Sequence, residues 1–269
     1  MDPSSDAAVR EFLTASLWPE GLQEAYLKGL RSTGPVTFIV DDSGSMSISD
    51  ATRFVKQGTK MVPTTCSRYA ELQDSITFHA SLANSAKVPT TFRLLNNAPP
   101  IVIGGPTDNG SAYGRLLQAL DLPPSGGTPL CAHVRDFVEE VGRQAATLRA
   151  EGKRAKLIIA TDGEPSDGNL AAAMAPLKSL PVLIVIRICT NEKKVVDYWG
   201  ALDKDVELSM DLIDDLNSES EDVTDLNPWL FYSEPIQRFR EAGSQVREME
   251  LLDEVKFTAD QIRNFCILL

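Results

Sequence analysis

Histidine occurs twice and cysteine four times in these 269 residues, and basic side chains are outnumbered 26 to 38 by acidic ones. Each shortage excludes something. Cys66, Cys131, Cys189 and Cys266 are scattered, with no CxxC pair and no disulfide spacing, so zinc is unsupported and free thiols in a reducing compartment are expected. A net charge of −12, with no basic patch interleaved with aromatics, repels phosphate backbones and argues against a nucleic-acid partner. The longest apolar stretch, around residues 182–188, is too short to span a bilayer. The start, Met1-Asp2-Pro3-Ser4-Ser5-Asp6, lacks the basic opening and apolar run of a secretory signal. A cytoplasmic (intracellular) chain with no transmembrane segment is the expectation. The composition that remains, 43% hydrophobic and 24% charged, is that of a folded globular protein with room for one large core or two small ones.

Three runs rich in β-branched residues stand out: 35–40 (PVTFIV), 155–160 (AKLIIA) and 182–189 (VLIVIRIC). Near-continuous apolarity marks strands covered on both faces, as in a parallel sheet flanked by helices. Residues 91–95 and 100–103 read as further strands across a turn at 96–99. Helical patterns fall at 67–82, 109–120, 129–150, 169–177 and 191–202. The clearest is 129–150, where Val134, Phe137, Val138, Val141 and Ala145 recur at three and four after a proline suited to a first turn. This alternation predicts an open, doubly wound α/β fold.

Two regions lie outside it. Residues 7–30 read as two amphipathic helical pieces broken at Trp18-Pro19. After about residue 203 come an acidic run, read as a solvated helix face with a loop, and the aromatics Trp229, Phe231 and Tyr232, read as packing back onto the sheet. The expected division is an N-terminal helical extension (1–32), the α/β part (33–203) and an acidic, aromatic, largely helical C-terminal extension (204–269) of the same globule.

Ligands of parallel α/β sheets bind beyond the carboxyl ends of the strands. There the sequence places Asp41-Asp42-Ser43-Gly44-Ser45 after the first run and Thr161-Asp162-Gly163 after the second. Ser125-Gly126-Gly127-Thr128-Pro129 precedes the clearest helix. Carboxylates and hydroxyls without histidine or cysteine suit a hard, oxygen-seeking cation. Asp41, Ser43 and Ser45, two apart, can face one way, and Thr128 and Asp162 bring the oxygens to five. The same residue types also cap helices and make turns.

Asp41-x-Ser43-x-Ser45, Thr128 in Gly-Gly-Thr-Pro-Leu and Asp162 in Ile-Ala-Thr-Asp-Gly together resemble the metal-ion-dependent adhesion site of von Willebrand factor type A (vWA) domains. The resemblance covers roughly residues 34–190 and is nearest to intracellular members such as those of copine type. It implies a Rossmann-like, mostly parallel sheet with helices on both faces. It implies Mg²⁺, with Ca²⁺ or Mn²⁺ as substitutes, held by Asp41, Ser43, Ser45, Thr128 and Asp162, either directly or through water. It also implies a binding rather than a catalytic protein, whose partner offers an Asp or Glu carboxylate to the metal. Neither extension has a counterpart in a minimal vWA domain.

The alternatives are a Mg²⁺-dependent hydrolase of phosphatase type and a scaffold that binds through its extensions. The phosphatase pattern needs a second aspartate where Ser43 stands, and nucleophilic serine chemistry needs a base. His133 and Cys131 lie near the third segment but read as a surface or cap histidine and a buried apolar thiol. Gly104-Gly105-Pro106 is a loop breaker, since no Lys-Ser/Thr follows. The terminal Cys266-Ile267-Leu268-Leu269 matches a prenylation box. Against that, Thr258-Ala259-Asp260-Gln261 reads as a capping box opening a docking helix with Ile262, Phe265, Cys266 and Leu269 on one face, the preferred reading.

Overall fold

The computed structural model describes residues 3–269 except 59, 207–209 and 245. In chain order these form α1 (Pro3–Ala15), α2 (Glu20–Arg31), β1 (Thr33–Val40), β2 (Ala51–Gln57), β3 (Lys60–Cys66), α3 (Arg68–Ala86), β4 (Thr90–Leu94) and β5 (Ile101–Ile103). There follow α4 (Ser111–Leu120), α5 (Leu130–Ala150), β6 (Arg154–Thr161), α6 (Leu170–Met174), β7 (Val182–Ile188), α7 (Lys193–Val206), β8 (Met210–Ile213), α8 (Leu216–Leu226), α9 (Glu234–Glu241), α10 (Arg247–Glu250) and α11 (Ala259–Cys266).

One sheet runs β5-β4-β1-β6-β7-β8, parallel except for the short antiparallel edge strand β5. This is the expected Rossmann-like α/β architecture. The three apolar runs are the adjacent strands β1, β6 and β7, and successive residues supply opposite faces. Phe38, Val40, Ile158 and Ala160 pack under α3 and α4 with Leu72, Ile76 and Leu116. Ile39, Leu157 and Ile159 pack under α5, α6 and α7 with Val134, Phe137, Met174 and Trp199.

Helix boundaries move where capping chemistry decides them. Ser67 caps α3, its hydroxyl accepting from Ala70 N at 3.1 Å, and the helix runs on past residue 82 to a left-handed stop at Lys87. Pro129 stands at the N-cap of α5 rather than inside its first turn. The 169–177 pattern divides into α6 and a 3₁₀ turn, Ala175–Ser179. The break at Trp18-Pro19 separates α1 from α2 as expected.

The terminal regions depart further from expectation. The strand β8 lies beyond residue 203 yet pairs in parallel with β7 at the sheet edge. Trp229 and Tyr232 do not pack onto the sheet. They join a third core that brings Val9, Leu13, Trp18 and Leu22 of the N-terminal helices against Ile236, Phe239, Phe257 and Phe265 of the C-terminal ones. Phe231 is exposed. The acidic run is not simply solvated: Asp215 caps α8 through two backbone amides, and Glu219 is buried against Arg240. The capping box of α11 is formed and Phe265 is buried, but Ile262 and Leu268 complete the docking face, while Cys266 and Leu269 are exposed. Cys266 and Leu269, expected on that face, thus lie off it.

A buried ionic network ties the C-terminal region to the sheet and to α3. The Glu241 carboxylate accepts from Ser75 Oγ (2.7 Å), Arg238 Nη1 (2.8 Å) and Gln237 Nε2 (3.1 Å), and lies 3.1 Å from His79 Nε2. Arg187 of β7 lies 3.5 Å from the same carboxylate and donates to Glu71 of α3. The start of α3 is thereby fixed, and that start reaches the candidate site.

Candidate metal centre

Beyond β1 the chain makes one 3₁₀ turn, Gly44–Ser47, and this turn gathers the hydroxyls. Ser43 N donates to Asp41 Oδ1 at 2.8 Å, Ser43 Oγ and Ser45 Oγ stand 3.1 Å apart, and Ser45 Oγ donates to Asp162 Oδ1 at 2.8 Å. Asp41, Ser43, Ser45 and Asp162 thus form one hydrogen-bonded cluster across the ends of β1 and β6. Thr161 closes it from below by donating to Asp41 Oδ2 at 2.5 Å.

Thr128 arrives on the third loop, which is tied to the first. Gly44 N donates to Gly126 O at 3.1 Å and Ser125 N to Asp42 O at 2.7 Å. Gly126 has φ +83°, and a Cβ there would stand 2.6 Å from Asn96 Oδ1, so the loop can approach only with glycine. Thr128 is buried, and its hydroxyl faces the Gly163 backbone beside Asp162, where a Cβ would be 3.9 Å away. All five expected residues therefore sit at one end of the sheet, four in direct contact and Thr128 on the adjoining loop.

Several residues that the sequence reading passed over hold this arrangement. Asp42 accepts from Asn96 N (2.8 Å), Asn96 Nδ2 (3.0 Å) and Asn97 N (3.0 Å), so it braces the β4–β5 turn rather than pairing with Asp41. Ser166 accepts from Thr128 N and donates its own amide to Thr128 O, while Asp167 accepts from Cys131 N and Ala132 N at the start of α5. Arg68 is the largest omission. Its guanidinium is buried and donates to Asp162 Oδ2 at 2.9 Å, to both oxygens of Asp50 and to Glu192 at 2.7 Å.

Burial pushes the Asp41 carboxyl up. Hydrogen bonds from Ser43 and Thr161 pull it back, and the neighbouring Asp162 charge adds repulsion. Three carboxylates (Asp50, Asp162, Glu192) pair with the one guanidinium and Asp41 adds a fourth acidic group to the cluster, so carboxyl groups outnumber the cation at this end of the sheet. His79 belongs to the Glu241 network and His133 lies 3.3 Å from Leu95 O, so neither histidine bonds a serine of the cluster. Burial and then Asp167 push the Cys131 thiol up to about 11, which leaves it inert.

The donors fit a hard divalent cation. They are all oxygens, with no nitrogen or sulfur competing, the donor chemistry that Mg²⁺ and its substitutes take.

Compared with family models and with curated proteins, the sequence matches none. Among solved structures, the chain is similar to the SpRpn10 VWA domain, at 15% identity over 68% of this chain and 87% of that one, with a TM-score of 0.43. It is similar to the pilus adhesin SpaC from Lactobacillus rhamnosus GG in its open conformation, at 11% identity over 81% of this chain and 30% of that one, with a TM-score of 0.46. It is also similar to proximal thread matrix protein 1 from the mussel byssus, at 14% identity over 58% of this chain and 37% of that one, with a TM-score of 0.36. The chain spans about a third of the length of those last two proteins.

Proposed function

We propose that this chain is a vWA-type binding domain that captures a protein partner through a divalent cation, Mg²⁺ first and Mn²⁺ or Ca²⁺ as substitutes. The observation that carries the reading is the oxygen cluster: hydroxyls and carboxylates from separate loops gathered at one end of the sheet, with no nitrogen or sulfur donor among them. Asp41, Ser43, Ser45, Thr128 and Asp162 would hold the ion. Bound there, it would supply an electrophile, for which a carboxylate oxygen is a fitting further ligand. An Asp or Glu side chain of a second protein meets that need. The domain is a binder and not a hydrolase in this reading, because Ser43 occupies the position where a phosphatase needs its second acid and neither histidine faces the cluster. An intracellular setting belongs to the same proposal: all four cysteines are free, and no helix among the described residues is long and apolar enough to cross a membrane.

The test begins with thermal melting in EDTA and in millimolar Mg²⁺. A ligand at about 100 times its Kd stabilises by about 2.7 kcal/mol, so the melting temperature should rise in the wild type and stay level in Ser43→Ala. Partners captured by the wild type in Mg²⁺ should be lost in EDTA and lost by Ser43→Ala and Thr128→Ala, with the fold of both variants intact. A melting curve indifferent to Mg²⁺, with partners held equally well in EDTA, overturns the proposal.

A further inference from the structure

The loop that leaves β6 walls the oxygen cluster first and a groove afterwards. Gly163 faces Thr128, and Ser166 accepts from Thr128 N at 3.0 Å, which fixes the loop at the candidate site. Glu164, Pro165 and Gly168 of the same loop then line a groove of about 490 Å³ that opens to solvent. Leu170 and Ala171 of α6 and Tyr198, Ala201 and Leu202 of α7 complete most of its lining. Pro165 is three residues from Asp162. An extended backbone covers about 3.5 Å per residue, so the groove begins within about 11 Å of that candidate ligand.

The floor is apolar and only partly covered by the chain's own residues. Leu170 and Leu202 are buried, Pro165, Ala171 and Tyr198 are half-buried, and Ala201 is exposed. Charge enters at the rim. Glu164 is neutralised by Lys194 of α7 at 2.8 Å, an exposed pair that bridges the two walls and costs little to open. Gly168 brings a second cation: a Cβ there would stand 3.6 Å from Arg135 Nη2 of α5, so the guanidinium reaches the rim. Among the described residues no carboxylate pairs with Arg135. An apolar hollow with an uncompensated positive charge at its mouth complements an apolar side chain that has an acidic neighbour.

We infer that an extended segment of the partner protein runs from the oxygen cluster into this groove and seats an aromatic or branched aliphatic side chain there. That side chain would lie about two to four residues from the carboxylate given to the cation, with a second acidic residue beside it facing Arg135. The inference rests on the metal-capture reading for its first anchor. It supplies what that anchor lacks, which is selectivity. A cation takes any accessible carboxylate, and every protein surface offers many, so discrimination must come from contacts beside the ion. An apolar side chain desolvated in a groove is such a contact.

The test is a displayed peptide library with a fixed Asp between random flanks, selected on the full chain in Mg²⁺ and in EDTA. Selected peptides should need both Mg²⁺ and the Asp, and should carry Phe, Tyr, Leu or Ile about two to four positions from it. Replacing that apolar residue by Ser should weaken binding, read by fluorescence anisotropy, about tenfold or more. Ala201→Trp fills the groove from an exposed position and should weaken the parent peptide by the same factor while leaving the Ser peptide unaffected. Arg135→Glu should weaken the parent peptide more at low salt than at high. Neither residue belongs to the oxygen cluster, and an unchanged Mg²⁺-induced melting shift is the control for fold and metal in each variant. Mg²⁺-dependent peptides without the apolar preference, or with equal affinity for wild type and Ala201→Trp, overturn the inference and leave the metal reading standing. Peptides bound equally in EDTA overturn the metal reading and this inference with it. A concentration-dependent dimer of the wild type that Ala201→Trp abolishes would assign the groove to a second copy of the chain, which also overturns the inference.

Discussion

Lys156 carries a charge in a place that disfavours it, and removing that charge should strengthen the protein. It lies on β6 opposite Val36 of β1, buried, with its ammonium donating to Ala242 O at 2.8 Å and with no carboxylate in ion-pair range among the described residues. Tyr26, His79 and Thr90 line the same cavity of about 30 Å³, and none of them offers a negative charge at neutral pH. Burial, with a smaller contribution from Arg154, pushes the Lys156 ammonium down from 10.5 to about 8. At about 1.4 kcal/mol for each pKa unit, the charged form costs the folded state about 3 kcal/mol. Below pH 8 both folded and unfolded chains hold the proton, so the penalty is fully present. Between pH 8 and 10.5 the unfolded chain binds more protons than the folded one, and stability rises with pH.

Lys156→Met keeps the aliphatic stem and removes the charge, at the cost of a hydrogen bond worth about 1 kcal/mol. The variant should therefore be about 2 kcal/mol more stable than wild type at pH 7, and that advantage should shrink steadily as pH rises from 8 toward 10.5. Urea unfolding at several pH values measures both, with the midpoint moving while the slope stays constant. Other groups titrating in this range cancel in the difference between the two proteins. A variant less stable than wild type at pH 7, or an advantage that does not change with pH, refutes the reasoning.

Arg68→Met should lower the melting temperature in EDTA, because Asp50, Asp162 and Glu192 lose their shared counter-charge, and should enlarge the rise caused by Mg²⁺ by removing a positive charge from a ligand carboxylate. A Mg²⁺ response no larger than wild type's counts against that placement. Glu241→Gln keeps the shape of a group that accepts from Ser75, Gln237 and Arg238 but leaves Arg187 and Arg238 under-compensated in the interior, so it should cost about 3 kcal/mol in urea unfolding. A loss below about 1 kcal/mol would mean that water reaches the network.

The parts legible in the sequence are those whose signal is local. An apolar run covered on both faces announces a central strand, and residues 35–40, 155–160 and 182–189 became β1, β6 and β7. Asp41, Ser43 and Ser45 could be placed together because a single turn suffices to gather them. What escaped was non-local. Glu219 lies in a stretch that reads as a solvated acidic face, yet it is buried, because Arg240, twenty-one residues away, meets it from α9. Trp229 and Tyr232 were rightly expected to be inward-facing, and Trp229 packs on Phe257 and Phe265, but the core they join is shared with α1 and α2 at the other end of the chain, which no pattern within residues 204–269 could show. The β2–β3 hairpin, a separate two-stranded sheet, had a signal that went unused: two β-rich runs flanking Gly58-Thr59, the spacing of a two-residue connection.

Arg68 shows why a matched motif is only half of a site. The five oxygen-bearing residues specify which ions could bind, and that much is a property of side-chain chemistry. How tightly an ion binds depends on the charges that enclose those oxygens, and these come from Asp50 before the hairpin, Arg68 after it and Glu192 beyond β7. None of the three lies in the motif. Arg68 and Ser45 surround Asp162 with donors, the guanidinium on one of its oxygens and the Ser45 hydroxyl on the other. On the metal reading, a cation held at Asp162 would share that carboxylate with the guanidinium, while the Ser45 oxygen could ligate it and still donate its hydrogen to Asp162. Such a site should bind its ion weakly alone and more tightly once a partner's carboxylate adds a negative ligand, which makes metal and partner binding mutually reinforcing.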